Sequence, residues 1–261
     1  MTAAERSAPV ARSAALEWHG VGKRMGGREV LRDVTLAVAR GSISAVLGAR
    51  GAGKSLLLRL ALGLERCDRG SVALLGRDPV RAAAVERRRL FSRIGVVFAS
   101  GALFGDWSVA RNVGFLCAEV QRRPTAEVAR AVRESLLLVG LKQVEHERAD
   151  ALPPGTRQRV ALARAIAHRP ELVVLDDATA ELDPIGAEAL LSLVIQLRAR
   201  LGLTVLAATR EPRAALRIAD QLALLHDGRI AAAGTPDELQ RDPHAALQQL
   251  LTGRAHGPIA P

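Results

Sequence analysis

The segment Gly48-Ala49-Arg50-Gly51-Ala52-Gly53-Lys54-Ser55 narrows the folds open to this chain more than any other feature. It matches G-x-x-x-x-G-K-[ST], and it lies between a β-prone run, residues 42–47, and a helical one, residues 55–64. Glycines there let backbone N–H groups curl around phosphate oxygens, and the following helix presents its positive end to the same anion. In that chemistry Lys54 reaches the β- and γ-phosphates and the Ser55 hydroxyl is a Mg2+ ligand. The pattern implies an α/β fold that binds a nucleoside triphosphate.

A carboxylate is needed as a second ligand for the metal. Leu172-Val173-Val174-Leu175 reads as a strand buried on both faces, and Asp176 follows at its C-terminal end, where α/β sheets place ligands. Asp176 is the expected Mg2+ ligand. Asp177 sits where an acid would orient an attacking water.

Strand and helix alternate through most of the chain. Short strands are expected at 35–38, 42–47, 71–75, 94–98, 172–175 and 204–208, and helices at 55–64, 125–138, 157–168 and 187–201. Thr125 is the expected N-cap of the second helix, with Gly140 just past its end, and Ser108 reads as another N-cap. Asp227-Gly228 between 221–226 and 229–233 is a hairpin signal. Thr235-Pro236-Asp237-Glu238 is a capping box with proline at the first helical position. The sum is a mainly parallel α/β core interrupted by a helical insertion, with Arg87-Arg88-Arg89 on a solvated helix face.

Composition excludes several classes. The formal charge is +10, yet only three of the 37 basic residues are lysines (Lys23, Lys54 and Lys142). Aromatic residues make up 2% of the chain, with no tyrosine, so the stacking platforms of single-strand nucleic-acid binders are missing and nucleic acid is not the expected partner. Two distant cysteines, Cys67 and Cys117, rule out a disulfide framework and read as packing groups in a reducing compartment. No uncharged apolar run approaches the roughly 18 residues of a membrane helix. The six histidines show no ligand spacing and read as surface or helix-end residues, while Trp18 and Trp107 read as packing residues.

On these residues the chain resembles the ATP-binding subunits of ABC transporters, over 16–253. Leu152-Pro153-Pro154-Gly155-Thr156-Arg157-Gln158 and the residues to Ala165 resemble the family's signature stretch, at the expected distance before Asp176. Ala180-Glu181-Leu182-Asp183-Pro184 resembles the D-loop, and 213–220 the passage after the switch region. The resemblance implies a RecA-like P-loop NTPase core (about 15–100 and 157–240) with an antiparallel β element and a helical subdomain (about 101–156). These form one domain, 15–253, between a disordered start, 1–14, and a tail, 254–261. It also implies ATP and Mg2+, and a second ATP-binding subunit, identical or not, whose signature completes the site. A transmembrane permease and a place on the inner face of the cell membrane go with these. Ser100-Gly101-Ala102-Leu103-Phe104 and the tail 253–259 are similar to Mla-type subunits, which energise phospholipid transport with an MCE-type lipid-binding component.

Several positions depart from the family pattern. The catalytic glutamate corresponds to Asp177, shorter by one methylene or about 1.5 Å, and misplacing a positioned group by about 1 Å can cost a hundredfold. The switch histidine corresponds to Arg210, the Q-loop glutamine to Ala99 and the adenine-stacking aromatic to Met25. In the signature, Pro153-Pro154 precede Gly155 and Thr156, the residues left to approach the partner's nucleotide. Retained binding with reduced hydrolysis is the expectation. The alternatives are a nucleotide-gated regulatory module that performs no useful hydrolysis, and a soluble ABC-type ATPase acting on nucleic acid.

Overall fold

Strands with apolar residues on both faces are buried on both sides. In the computed structural model, which describes residues 14–259, β3 (Ile43–Leu47), β6 (Leu172–Asp176) and β7 (Thr204–Thr209) are of this kind. The pleat sends alternate side chains to opposite faces. Ile43, Ala45, Leu47, Val173, Leu175, Val205 and Ala207 join one core, while Val46, Leu172, Val174, Leu206 and Ala208 join the other. These strands lie in a six-stranded sheet with β5 (Ile94–Phe98), β8 (Gln221–His226) and β9 (Arg229–Gly234), in the order β5-β6-β7-β3-β8-β9. Every neighbouring pair is parallel except β8–β9, which closes through Asp227 and Gly228, both at positive φ.

A second, antiparallel sheet of β1 (Ala14–Met25), β2 (Arg28–Ala39) and β4 (Arg69–Leu74) runs in the order β2-β1-β4. Only its 35–38 and 71–75 portions are visible as strand patterns, because β1 breaks its alternation with register shifts around Gly20 and Gly22. Helix α1 (Lys54–Ala61) is packed between this sheet and the large one, in a core that includes Trp18, Leu31, Leu57 and Leu60. It stops short of the expected residue 64, the chain turning at Gly63 with φ 62°.

On the opposite face pack α3 (Val109–Phe115), which runs into a π-helical turn, Leu116–Val120, and then α4 (Thr125–Leu138), α5 (Pro154–Ile166), α6 (Pro184–Leu201) and α7 (Pro212–Ile218). Helix α2 (Ala84–Phe91) carries Arg87, Arg88 and Arg89, all exposed. Ser108 caps α3, its Oγ accepting from the Arg111 N–H at 3.2 Å. Thr125 is not a cap. Pro124 takes that place with extended backbone, and its carbonyl accepts from Glu127 and Val128, so Thr125 is already the first helical residue. The capping box opens α8 (Pro236–Arg241) as expected, and α9 (Ala245–Thr252) closes the chain. There the buried Gln249 amide donates to the Ile259 carbonyl at 2.9 Å and accepts from its N–H at 2.8 Å, tying the tail to α9. Residues 1–13 and 260–261, including nearly all of the expected disordered start, lie outside the described residues.

Among the histidines His168 departs from the surface reading. It follows α5 but is 3% exposed, with Nε2 3.1 Å from the Ile94 carbonyl. Burial holds its pKa below the ordinary value. The unfolded chain therefore takes up a proton near pH 6.5 that the fold resists, so this group costs no stability above that pH and destabilises below it. We expect urea midpoints to fall between pH 7 and pH 5.5, with a slope of at most about 1.4 kcal/mol per pH unit from this residue. His168→Gln should flatten that slope. Equal slopes in both proteins would contradict the assignment.

Candidate functional site

The C-terminal ends of β3, β5, β6 and β7 all point to one edge of the sheet, where a parallel α/β sheet opens its crevice. The loop after β3 fits only with glycine at key points. A Cβ on Gly48 would lie 2.7 Å from the Leu225 carbonyl, and Gly53, the N-cap of α1, has φ 102°. Lys54 is 7% exposed, and its Nζ donates to the Gly48 and Ala49 carbonyls at 2.8 and 3.1 Å. Burial pushes its pKa down, and the nearby Asp177 and Asp176 push it back up. This is an ammonium held out of water beside a loop of N–H donors. An anion completes its environment.

That anion has room. A cavity of about 480 Å³ is lined by Arg50, Gly51, Gly53, Lys54, Ser55, Leu56, Arg59, Ala99, Asp177, Ala180 and Arg210. Four cationic side chains face one carboxylate, an imbalance suited to a polyphosphate. The phosphate loop, Ala99, Asp177 and Arg210, far apart in sequence, are thus brought together.

Asp176 stands at the end of β6, its Oδ1 accepting from the Ser55 hydroxyl at 3.2 Å. Burial raises its pKa and the Ser55 bond opposes the rise. A half-buried carboxylate beside a hydroxyl is a hard-oxygen donor set that welcomes Mg2+, so the residues present fit the metal. Asp176→Asn should leave Mg2+-free ATP binding intact and remove most of the tightening that Mg2+ brings. Titrations with and without Mg2+ check this, and an undiminished Mg2+ effect would contradict it.

Asp177 has φ 49°, left-handed backbone for a non-glycine residue. Its N–H donates to the Ala208 carbonyl at 2.8 Å, and its Oδ1 accepts from the Arg210 N–H at 3.1 Å. Ala99 follows β5 and offers no polar side-chain atom.

Other expected residues lie elsewhere. Met25 is at the tip of the β1–β2 hairpin, 39% exposed, and does not line the cavity. Gly155 and Thr156 lie in the first turn of α5, also outside it. In the 180–184 stretch, Ala180 reaches the cavity, while Asp183 caps α6 by accepting from the Ile185 and Gly186 N–H groups.

Two supporting residues had no sequence signal of their own. Gln158 on α5 is buried and donates to the Phe98 and Ala178 carbonyls at 2.8 and 2.7 Å, joining the loop after β5 to the loop after β6. Arg164, one helical face further on, donates to the Ala102 and Gly101 carbonyls at 2.7 and 2.8 Å. Only the three-dimensional path of residues 98–102 reveals their task. Beside that path Trp107 stacks on Phe104 with centroids 4.2 Å apart, Phe115 leans on both, and the Arg111 guanidinium lies 3.8 Å over the Trp107 ring.

Comparison with known proteins agrees with this geometry. A family model described as ABC transporter matches residues 31–180. The Fe(3+) ions import ATP-binding protein FbpC of Streptomyces coelicolor is 41% identical over 238 residues, 91% of this chain and 67% of that protein. The methionine import ATP-binding protein MetN of Myxococcus xanthus is 38% identical, over 90% of this chain and 72% of its own length. The probable ribonucleotide transport ATP-binding protein mkl of Mycobacterium tuberculosis is 32% identical, over 94% and 68% respectively. Among solved structures, cbiO1 from Clostridium perfringens, part of an ABC transporter complex, superposes with a TM-score of 0.81 at 24% identity, over 92% of this chain and 95% of that one. A dimeric bacterial ABC transporter cassette gives 0.76 at 24% identity, over 85% and 98%, and both establish the fold, a P-loop NTPase. The chain belongs to the ABC transporter family, and the site at the sheet edge lies in its ATP-binding domain.

Proposed function

We propose that this ATP-binding subunit binds Mg-ATP and hydrolyses it slowly, gating a membrane permease through nucleotide-dependent closure with a second ATP-binding subunit. One observation carries the reading. The cavity is lined by Gly51, Gly53, Lys54 and Ser55 of the phosphate loop, while the wall that would activate water consists of Ala99, an Asp177 tied to backbone, and Arg210. Lys54 and the loop N–H groups hold the phosphates, and Ser55 and Asp176 hold Mg2+, which when bound neutralises phosphate charge. Arg50, Arg59 and Arg210 add positive charge around the same space. Water activation is left to Asp177, about 1.5 Å shorter than the glutamate of the family.

Gly155 and Thr156, on a helix start away from this chain's own cavity, suit an approach to a partner subunit's nucleotide. Met25, at the tip of the β1–β2 hairpin, stands in for the adenine-stacking ring in this reading. The Phe104, Trp107 and Phe115 cluster, with Phe104 45% exposed, suits a permease contact and so supports a position at the inner face of a membrane. No described helix is long and apolar enough to cross one. The relatives are named for iron, methionine and ribonucleotides, so their names do not converge on one cargo. The stretch 100–104, the tail and the +10 charge favour a phospholipid system with an MCE-type component.

The strong tie between Asp177 and backbone also supports a second reading, a regulatory module that gates a partner without useful turnover. Steady-state ATPase of the purified chain, alone and with its permease, tests the proposal. Turnover stays low alone. A rate ordinary for the family that Lys54→Ala abolishes would overturn it, and continued low turnover beside an active permease complex favours the module.

A further inference from the structure

The β1–β2 hairpin lies against the phosphate loop. Gly53, at the start of α1, is packed on β2: a Cβ there would lie 3.0 Å from Leu31 Cδ2 and 3.3 Å from Val30 Cγ1. The same strand is tied to the β8–β9 turn, the Arg32 N–H donating to the Gly228 carbonyl at 2.7 Å. The hairpin tip, where Met25 pairs with Arg28, is three residues or roughly 10 Å beyond Leu31. A nucleotide held by its phosphates at Gly53 and Lys54 therefore has this hairpin as the ground for its sugar and base.

That ground carries little that could tell one base from another. Gly26 and Gly27, both at positive φ, have no side chain, and Met25 and Arg28 are exposed. The Arg24 guanidinium donates to the Gly27 carbonyl at 2.7 Å, and the Glu29 carboxylate accepts from Arg69. The polar groups that could read a base edge are thus engaged within the hairpin and its neighbour strand, leaving a thioether and a guanidinium. A thioether contact is soft and undirected, and a guanidinium stacks on the face of any base.

No ring replaces them. Both tryptophans and all four phenylalanines of the chain fall among the described residues, and each is placed elsewhere. Trp18 is buried against α1, Phe91 packs on the same core, and Phe104, Trp107 and Phe115 lean on one another. Phe98 ends β5, three strand spacings or roughly 14 Å from β3, on the side away from β8 and β9. His19 of β1 faces Glu17, its Nε2 3.8 Å from Oε1.

Resting on the nucleotide reading above and deepening it, we propose that the site selects the triphosphate and tolerates the base, so that its substrate class is nucleoside triphosphates in general, purine or pyrimidine. Stacking on an aromatic side chain strengthens binding by roughly fivefold to 150-fold per base. Here that contribution is missing, and affinity comes from the four cations and the loop N–H groups around the phosphates.

The test is calorimetric titration of the full chain with ATP, GTP, CTP, UTP and inorganic tripolyphosphate, each with Mg2+. The four nucleotides should bind within about threefold of one another, and tripolyphosphate within about tenfold of ATP. Met25→Trp, a change at an exposed hairpin tip, should supply the missing platform and tighten ATP and GTP at least about fivefold while leaving tripolyphosphate unchanged. A wild-type preference of more than tenfold for one base would overturn the proposal. So would a Met25→Trp protein whose nucleotide affinities match the wild type, since the base would then not pass the hairpin tip. Failure of all five ligands to bind the wild-type chain would instead remove the reading on which the proposal rests.

Discussion

Replacing Lys54 with alanine is expected to weaken ATP binding about a hundredfold while leaving the nucleotide-free protein close to its normal melting temperature. The first half follows from the loss of a charged donor beside phosphate, where hydrogen bonds to charged groups contribute roughly 1.5–3 kcal/mol each. Nζ also bridges the Gly48 and Ala49 carbonyls, so the loop loses its latch as well as its charge. The second half follows from burial. The folded protein carries an ammonium that burial disfavours, and removing it relieves a cost that only a bound anion offsets. Calorimetric titration with ATP and a thermal melt of the free protein check the two halves. A variant that binds ATP normally would remove the phosphate loop from the account, and a large drop in the free melting temperature would make the lysine structural.

The second large effect concerns the core beneath that loop. Trp18 is 0% exposed, lies between the antiparallel sheet and α1, and donates its Nε1–H to the Leu57 carbonyl at 3.3 Å. Trp18→Ala should destabilise the protein by about 4 kcal/mol, because large-to-small changes of this kind remove buried area and leave a cavity. At this chain length that lowers the melting temperature by about 10 °C. Leu57 belongs to the helix that carries Lys54 and Ser55, so the loss should reach nucleotide affinity too. Trp18→Phe, which keeps most of the ring, should recover more than half of the stability. A Trp18→Ala protein with an unchanged melting temperature would contradict the packing described.

What the sequence made legible is unevenly distributed, and the reasons are physical. The phosphate loop and the Leu172–Asp176 strand stand out because each is dictated locally, one by glycine geometry and lysine chemistry, the other by burial on both faces. Helix α4 was readable end to end from its periodicity, yet its cap was misassigned, since Pro124 with extended backbone does what a threonine hydroxyl was expected to do. Strand β1 left no pattern because its register shifts at glycines break the two-residue period. Gln158 and Arg164 could not be singled out, because their bonds go to backbone carbonyls distant in sequence, 20 residues away at Ala178 and some 60 away at the others. Asp177 is the instructive middle case. Its position beside Asp176 was evident, whereas its left-handed backbone and its bond to Arg210 exist only once β6 and β7 lie side by side.

The central claim, retention of ATP with little hydrolysis, is tested most directly by the fate of ATP already bound. Radiolabelled ATP is mixed with an excess of the purified chain and Mg2+, and the bound nucleotide is sampled over time. The account predicts that the label remains ATP for many minutes on the wild-type chain. Conversion of the bound label to ADP and phosphate within seconds would contradict it.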